Sequence, residues 1–337
     1  MGYKRYTSQT SDIDFVITWV DGNDRRWQGE KAKYKGEDHY NINNVRYRDW
    51  NLLHYWFRSV ERYAPWVRKI HFVTCGQRPE WLNTLHPKLN MVNHSDYMKK
   101  EYLPTFSSHP IELNLHRIKG LTEKFVYFND DIYVNAPVMP EDFFQQGLPC
   151  DSAILSPIKI ERYGISNIIL NNLRIINDSF DFKRNFKQNF PKWISPKYKT
   201  QLLRTLLLLP WRFYLGFYEQ HIAYSYLKSS FEEVWQKEEI DLHNICTHKF
   251  RDERDVNQWL IRYWQIASGR FIPRNVNIGK LFSLEKSAQE ACNEIKRHKY
   301  KLICINDSEK IENFEKVKCM VQEAFKEQYP RRSSYEL

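Results

Sequence analysis

The 337-residue sequence is poor in glycine, with eleven in all, which excludes a low-complexity or linker-rich protein. Its six cysteines (Cys75, Cys150, Cys246, Cys292, Cys304, Cys319) are scattered, and none forms a C-x-x-C pair. That spacing excludes a zinc ribbon and a disulfide scaffold, and the expectation is reduced thiols in a cytoplasmic protein. No stretch reaches the roughly 18–20 uninterrupted apolar residues that span a bilayer. The first eight residues, MGYKRYTS, contain no apolar run, so no secretory signal is expected, and Thr7 is out of place for N-myristoylation.

Acids are in deficit. Lys and Arg number 51 against 41 Asp and Glu, a net charge of +10, with a pI near 9.1. Hydrophobic residues make up 42%, enough for a core, and mean hydropathy is −0.68. Aromatics reach 15%. A basic, aromatic-rich chain suits nucleic acid, an anionic membrane, or phosphorylated sugars and lipids. No RNP-like strand, zinc pattern or basic recognition helix is present, so nucleic acid is not an expected partner.

Residues 12–21, DIDFVITWVD, read as a buried strand that ends in the turn Asp21-Gly22-Asn23-Asp24. Residues 23–48 read as a long polar loop. Residues 49–63 have helical spacing, with Leu52, Leu53, Trp56, Phe57 and Val60 on one face, Asp49 as N-cap and Pro65 as stop. Strands follow at 69–75 and 89–95, with a short helix between them at 80–86. A helix is predicted from 109, with Pro110 in its first turn and Gly120 beyond its end. KFVYFNDDIYV (124–134) is strand, acid, strand. This βαβ rhythm predicts an α/β fold with a central Rossmann-like sheet. The second half reads as largely helical, with helices over 219–238 and 253–269, the latter closed by Gly269. A strand at 301–307 and a helix over 308–328 end the chain.

Asn129-Asp130-Asp131 is the most informative short segment. Adjacent carboxylates between two β-prone halves suit a divalent cation on a diphosphate, and an Asn-Asp-Asp hairpin turn is the alternative. Asp21, and less strongly Asp307, repeat the strand-then-acid pattern, where open α/β sheets place ligand groups. His221, on the predicted 219–238 helix, is either structural or a base for proton transfer. Arg251, in HKFRDERD, is either a solvated helix start or a phosphate clamp.

Residues 183–212 carry eight Lys and Arg and no Asp or Glu. With the apolar continuation to 217, this segment is either an interfacial element for anionic lipid or a helical subdomain with a solvated basic face.

IDFVITWVDGND (13–24), RYRDWNLLHYWFRSVERYAPWVRKIHFVTCGQRPEWL (46–82) and YLPTFSSHPIELNLHRIKGLTEKFVYFNDDIYV (102–134) occur in series with EQHIAYSYLKSSFEEVW and HKFRDERDVNQWL (219–260) and ICINDSEKIENFEKV (303–317). In these blocks the chain resembles the Stealth family of sugar-phosphate transferases, which includes bacterial capsule and cell-wall polysaccharide phosphotransferases.

The resemblance implies a glycosyltransferase A-like fold and transfer of hexose-1-phosphate from a nucleoside-diphosphate sugar, of which a UDP-sugar is the expected form. The acceptor would be a hydroxyl of a polysaccharide or lipid-linked oligosaccharide, and the nucleoside monophosphate would leave. It further implies Mg²⁺ or Mn²⁺ on Asp130 and Asp131, with Asn129 shaping the turn. Asp21 and Gly22 would face the nucleotide. Arg48, Arg117 and Arg251 would clamp phosphate, and Glu112 would orient a sugar hydroxyl. His221 would be the base, with His116 as competitor. A metal-dependent glycosyltransferase releasing UDP is the alternative, and a covalent aspartyl-phosphate at Asp21 a minor mechanistic one. The expected organisation is a nucleotide-sugar core at 1–150, a basic accessory segment at 151–218 and a helical completion at 219–337. The expected location is cytoplasmic, with peripheral membrane contact through 183–217.

Overall fold

The computed structural model describes residues 12–34, 44–161 and 164–337. The N-terminal stretch considered for targeting signals, and part of the loop expected over 23–48, lie outside the described residues.

Strands β1 (Ile13–Thr18), β2 (Ile70–Thr74), β3 (Leu89–Asn93) and β4 (Lys124–Phe128) are followed by β5 (Ile132–Val134), β6 (Phe144–Gln145) and β7 (Leu148–Asp151). The second half adds β8 (Tyr224–Leu227), β9 (Ile272–Pro273), β10 (Gly279–Ser283) and β11 (Leu302–Asn306). Helices in the first half are α1 (Arg25–Lys33), α2 (Leu53–Tyr63), α3 (Ser108–Leu113) and α4 (Pro140–Phe143). Then come α5 (Ser166–Ser179), α6 (Phe182–Gln188), α7 (Phe190–Trp193), α8 (Leu202–Leu208) and α9 (Lys228–Lys237). The last four are α10 (Glu239–Cys246), α11 (Trp259–Ala267), α12 (Leu284–Arg297) and α13 (Phe314–Gln328).

The main sheet has the order β3-β2-β1-β4-β8. Strands β1 to β4 are parallel, and β8 runs antiparallel against β4. The first three parallel strands step outward in one direction and β4 lies on the other side of β1. The strand order therefore reverses between β1 and β4, which is where an open α/β sheet leaves a crevice at its carboxyl edge. Phe15, Val16, Ile17, Phe72, Val73 and Phe125 are fully or almost fully buried, because this sheet is covered on both faces. Helix α2 contributes Trp56 and Phe57, both completely buried, to one of those faces. The expected α/β class with a central parallel sheet is thus observed, and the second half is largely helical but also supplies four strands.

Several boundaries differ from the sequence expectation. Helix α1 occupies part of the expected loop; the Asp24 carboxylate caps it, accepting from the Arg26 amide at 2.8 Å. Asp49 does not cap α2. Its carboxylate accepts from the Asn51 amide at 2.7 Å, and the helix begins only at Leu53. No helix forms at 80–86: Leu82 is buried and bridges to Glu336 at the chain's end. The predicted 219–238 helix is a strand, β8, and then a shorter helix, α9. Tyr224 and Tyr226 pair with Tyr127 and Phe125, and sheet pairing there overrides local helical spacing. The predicted helix at 253–269 begins at Trp259, and Gly269 follows it in the left-handed region (φ +73°) as expected.

One continuous core runs through all three expected segments and includes Phe15, Trp193, Tyr198 and Tyr263. Arg262, wholly buried, ties them together. Its guanidinium donates to both Asp151 carboxylate oxygens, at 2.7 and 2.9 Å, and to Glu219 Oε1 at 2.5 Å. Asp151 and Glu219 stand at the two ends of the accessory segment, so one cation staples its entry and exit to the core.

Candidate active site

Three chain directions meet at the carboxyl edge of β4. The segment Asn129-Asp130-Asp131 leaves β4 of the main sheet and enters β5, which pairs with β11 in a separate three-stranded sheet. It is therefore not the turn of a hairpin, because β4 and β5 do not pair with each other. Strand β8 is antiparallel to β4, so the residues just before it, including His221, arrive at the end that β4 leaves. Strand β11 is antiparallel to β5, so Ile305 donates its amide to the Asp131 carbonyl at 2.8 Å and Asp307 follows immediately.

The result is an open cleft of about 670 Å³. Asn129, Asp130, Asp131, His221, Arg251 and Arg48 all line it. A smaller cavity of about 150 Å³ adjoins it, reaching Thr18 at the end of β1 and Trp19 after it, Cys75 after β2 and His94 after β3. Asn129, Asp130 and Arg251 border both.

His221 Nε2 lies 3.6 Å from Asp131 Oδ2, an ion-pair distance too long for a good hydrogen bond. Burial alone would lower the imidazole pKa, but Asp131, then Glu219 and Glu112, outweigh it and the net shift is upward. The His221 backbone is in the left-handed region (φ +47°), a conformation a non-glycine residue holds only where its surroundings impose it. The Cys304 thiol donates to Asp131 Oδ2 at 3.2 Å. Burial, and then Asp131, push that thiol's pKa well up. Asp130 opens onto the cleft. Loss of bulk solvent on its other sides, and then the Asp131 charge, push its carboxyl up to about 7.

Asp131 Oδ1 is buried with no hydrogen-bond partner among the described residues. An orphan carboxylate oxygen beside a second, mutually repelling carboxylate is an incomplete arrangement that a dication completes. Asp131, His221 and Cys304 each offer one ligand atom, all within 4.8 Å of one another. Asp131 and its neighbour Asp130 contribute the oxygen donors here. The site is compatible with a divalent cation on Asp131 and Asp130.

Arg251 NH2 donates to the Ser108 hydroxyl at 3.1 Å, a neutral partner that leaves its charge uncompensated in that contact. The Arg251 loop is anchored by Asp255, which is completely buried between His109 Nδ1 (2.8 Å) and His248 Nδ1 (2.6 Å). Glu112, on α3, is buried and lines the small cavity. It accepts from the Tyr127 hydroxyl at 3.2 Å, and burial pushes its pKa up to about 7 against the opposing Arg251 charge.

Other expected residues sit elsewhere. Arg48 lines the cleft, but its guanidinium is paired with Asp307 through two nitrogens, and Trp50 Nε1 donates to the same carboxylate at 2.9 Å. Asp21 lines neither cavity. It is held in its turn, its carboxylate accepting from Asn23 at 2.8 Å and its amide donating to Gln77 Oε1 at 2.8 Å. Gly22 packs against Tyr47; a Cβ there would lie 2.0 Å from the Tyr47 carbonyl oxygen. His116 and Arg117 line neither cavity. The His116 ring is buried and stacked on Phe231, with its pKa driven down to about 3 by burial and then by Arg117. Arg117 lies over the Trp235 ring at 4.3 Å.

Sequence reasoning did not single out Cys304, Trp19, Tyr47 or His94 as site residues. The one signal for Cys304 was its place in the strand that ends in Asp307.

Two regions of the chain match models of conserved Stealth segments, conserved region 1 at residues 11–38 and conserved region 2 at 46–150. The chain is 48% identical over 330 residues to the capsular polysaccharide phosphotransferase WcwK of Streptococcus pneumoniae, covering 96% of this chain and 98% of the relative. The chain belongs to the Stealth family of phosphotransferases. This Stealth chain is also 42% identical over 331 residues to the receptor polysaccharide phosphotransferase WefC of Streptococcus oralis, covering 96% and 99%. With the exopolysaccharide phosphotransferase cps2G of Lactiplantibacillus plantarum it shares 36% over 338 residues, 99% of each chain. Among solved structures, the WbbM bifunctional glycosyltransferase aligns with a TM-score of 0.38 at 12% identity, over 98% of this chain and 51% of that one. Conserved region 2 includes Arg48, Glu112 and the Asn129–Asp131 segment, whereas His221 and Arg251 lie beyond it.

Proposed function

We propose that this Stealth-family enzyme transfers hexose-1-phosphate from a nucleoside-diphosphate sugar, a UDP-sugar being the expected donor, to a hydroxyl of a polysaccharide or lipid-linked oligosaccharide. The relatives are named as phosphotransferases acting in capsular, receptor and exopolysaccharide synthesis. The observation that carries the reading is the meeting of Asp130, Asp131, His221 and Arg251 in one cleft beside a smaller cavity at the strand ends.

The acceptor oxygen attacks the β-phosphorus, a new P–O bond forms, and the bond from that phosphorus to the bridging oxygen breaks, releasing the nucleoside monophosphate. Such a reaction is catalysed mainly by positioning and charge. His221 takes the proton of the attacking hydroxyl, and its raised basicity suits that task. Arg251 stands at the junction of the two cavities, where it meets the diphosphate oxygens. Asp130 and Asp131 would hold a cation, for which Mg²⁺ or Mn²⁺ is proposed because the donors are carboxylate oxygens. When bound, that cation neutralises charge on the diphosphate. Glu112 accepts a hydrogen bond from the donor at the floor of the small cavity. Arg48 braces the cleft wall through Asp307, and the Asp21-Gly22 turn shapes the approach to it.

The decisive measurement is the released nucleotide. Incubation with a panel of UDP-sugars and a lipid-linked acceptor, followed by chromatography, is expected to yield UMP and a phosphodiester-linked product. Release of UDP with a glycosidic linkage would replace this reading with that of a glycosyltransferase.

A further inference from the structure

Exposed large hydrophobic residues are unevenly spread over the surface. Among the described residues five of thirteen fall within 203–213: Leu203 (59% exposed), Leu206, Leu207 (65%), Trp211 (53%) and Phe213. Helix α8 shows why they are together. Thr205 is completely buried and its hydroxyl accepts from the Leu155 amide at 3.0 Å, which fixes the inward side of the helix. Leu203, Leu206 and Leu207 lie three and four residues apart on the outward side, where no core covers them. The 3₁₀ turn Leu209–Trp211 carries the apolar surface onward, and Arg212 in the left-handed region (φ +61°) ends it.

Along the chain, the charge of this segment has one sign. From Phe182 to Tyr218 there is no Asp or Glu, and eight Lys and Arg are present. Lys199, Arg204 and Arg212 are exposed next to the leucines in sequence. Among the described residues Arg204 donates to neutral groups, Gln201 Oε1 and the Ser156 hydroxyl, so its charge is available to an external anion.

We propose that α8 and the turn after it form a docking surface for an anionic phospholipid bilayer, with the leucines and Trp211 entering the interface and the flanking cations meeting lipid phosphates. Charge complementarity favours this occupant over a second copy of the chain. A two-fold contact through α8 would bring two acid-free cationic segments together. The helix is also far too short to cross a bilayer: its seven residues span about 10 Å against a hydrocarbon core of about 30 Å.

The surface is linked to the cleft. The Gly216 carbonyl accepts from the Ser156 amide at 3.0 Å, and the chain then runs within five residues to His221. If the proposed reaction is right, docking presents the cleft to lipid-linked acceptors, but lipid binding is measured independently of it.

The test is co-sedimentation of the full chain with phosphatidylcholine vesicles and with vesicles containing about 30% phosphatidylglycerol, at about 0.15 M salt. Binding to the anionic vesicles is expected, with little to the neutral ones. Leu207→Glu with Trp211→Glu is expected to lower the partition coefficient about tenfold or more, and Lys199→Gln with Arg212→Gln by a smaller factor that vanishes at high salt. Leu203→Ser with Leu207→Ser provides a milder second variant, and circular dichroism with transfer to a water-soluble acceptor checks that each variant is folded. Absence of binding to anionic vesicles, or binding unchanged by both apolar variants, overturns the proposal. So does a dimer in sedimentation velocity that the apolar variants dissolve while vesicles fail to bind.

Discussion

His221 Nε2 stands 3.6 Å from Asp131 Oδ2, although one residue precedes the antiparallel edge strand and the other follows the strand beside it. Asp131 raises the basicity of the imidazole, and it lies where the main sheet hands the chain to a second sheet, a point to which β8 brings His221. The chemistry proposed for the cleft depends on this pair, and the tests below separate its parts.

Asp131→Asn and Asp130→Asn are each expected to lower turnover by about 10²–10⁴-fold, the scale of losing several kcal/mol of charge stabilisation. A chelator should abolish activity in the wild type, and Mg²⁺ or Mn²⁺ should restore it. Without metal the same variants should melt no lower than the wild type, since each removes one of two repelling carboxylates. Scanning calorimetry distinguishes this outcome from simple unfolding.

His221→Gln is expected to reduce kcat by about 10²–10⁴-fold with little change in the donor KM, as for loss of a general base. In the wild type the imidazole accepts a proton only when neutral, so the rate should rise with pH through its pKa. That acid limb should be missing from the pH profile of the variant.

Glu112 gives a stability test with a defined sign. Burial raises its pKa to about 7, from about 4.5 for a free glutamate. The stabilisation of its protonated form is therefore fully present below about pH 4.5 and is lost as pH rises through about 7. Glu112→Gln should flatten this dependence. Urea titrations across that range should show the variant gaining on the wild type by up to about 3 kcal/mol near neutrality.

Gly22→Ala tests packing rather than chemistry. The added Cβ would lie 2.0 Å from a backbone oxygen and 2.7 Å from Tyr47 Cβ, so the backbone must move. A loss of about 1–3 kcal/mol in urea unfolding is expected. Because Tyr47 borders both cavities, the donor KM should rise as well.

Much of the first half was legible because its signals are local. The β-branched run at 13–18 is a strand and the 3–4 spacing at 53–60 is a helix; both bury their apolar side chains as that spacing requires. The Asn129-Asp130-Asp131 segment was visible as two carboxylates in a strand-rich stretch. The surroundings of His116 were not legible for the opposite reason: the sequence places it near Glu112, but Phe231 and Trp235 pack on it from a helix more than a hundred residues away.

The sequence by itself determined the parallel α/β core, the acid-free basic segment and the family, because hydrophobic period, charge runs and motif order are properties of neighbouring residues. Tertiary structure alone decided that β4 and β5 belong to different sheets, that β8 brings His221 to Asp131, and that β11 brings Cys304 there. It also decided that Arg48 is paired with Asp307 and that the leucines of α8 face outward. These outcomes depend on which strands and helices pair across long separations, and that choice is set by burial of whole faces rather than by local spacing.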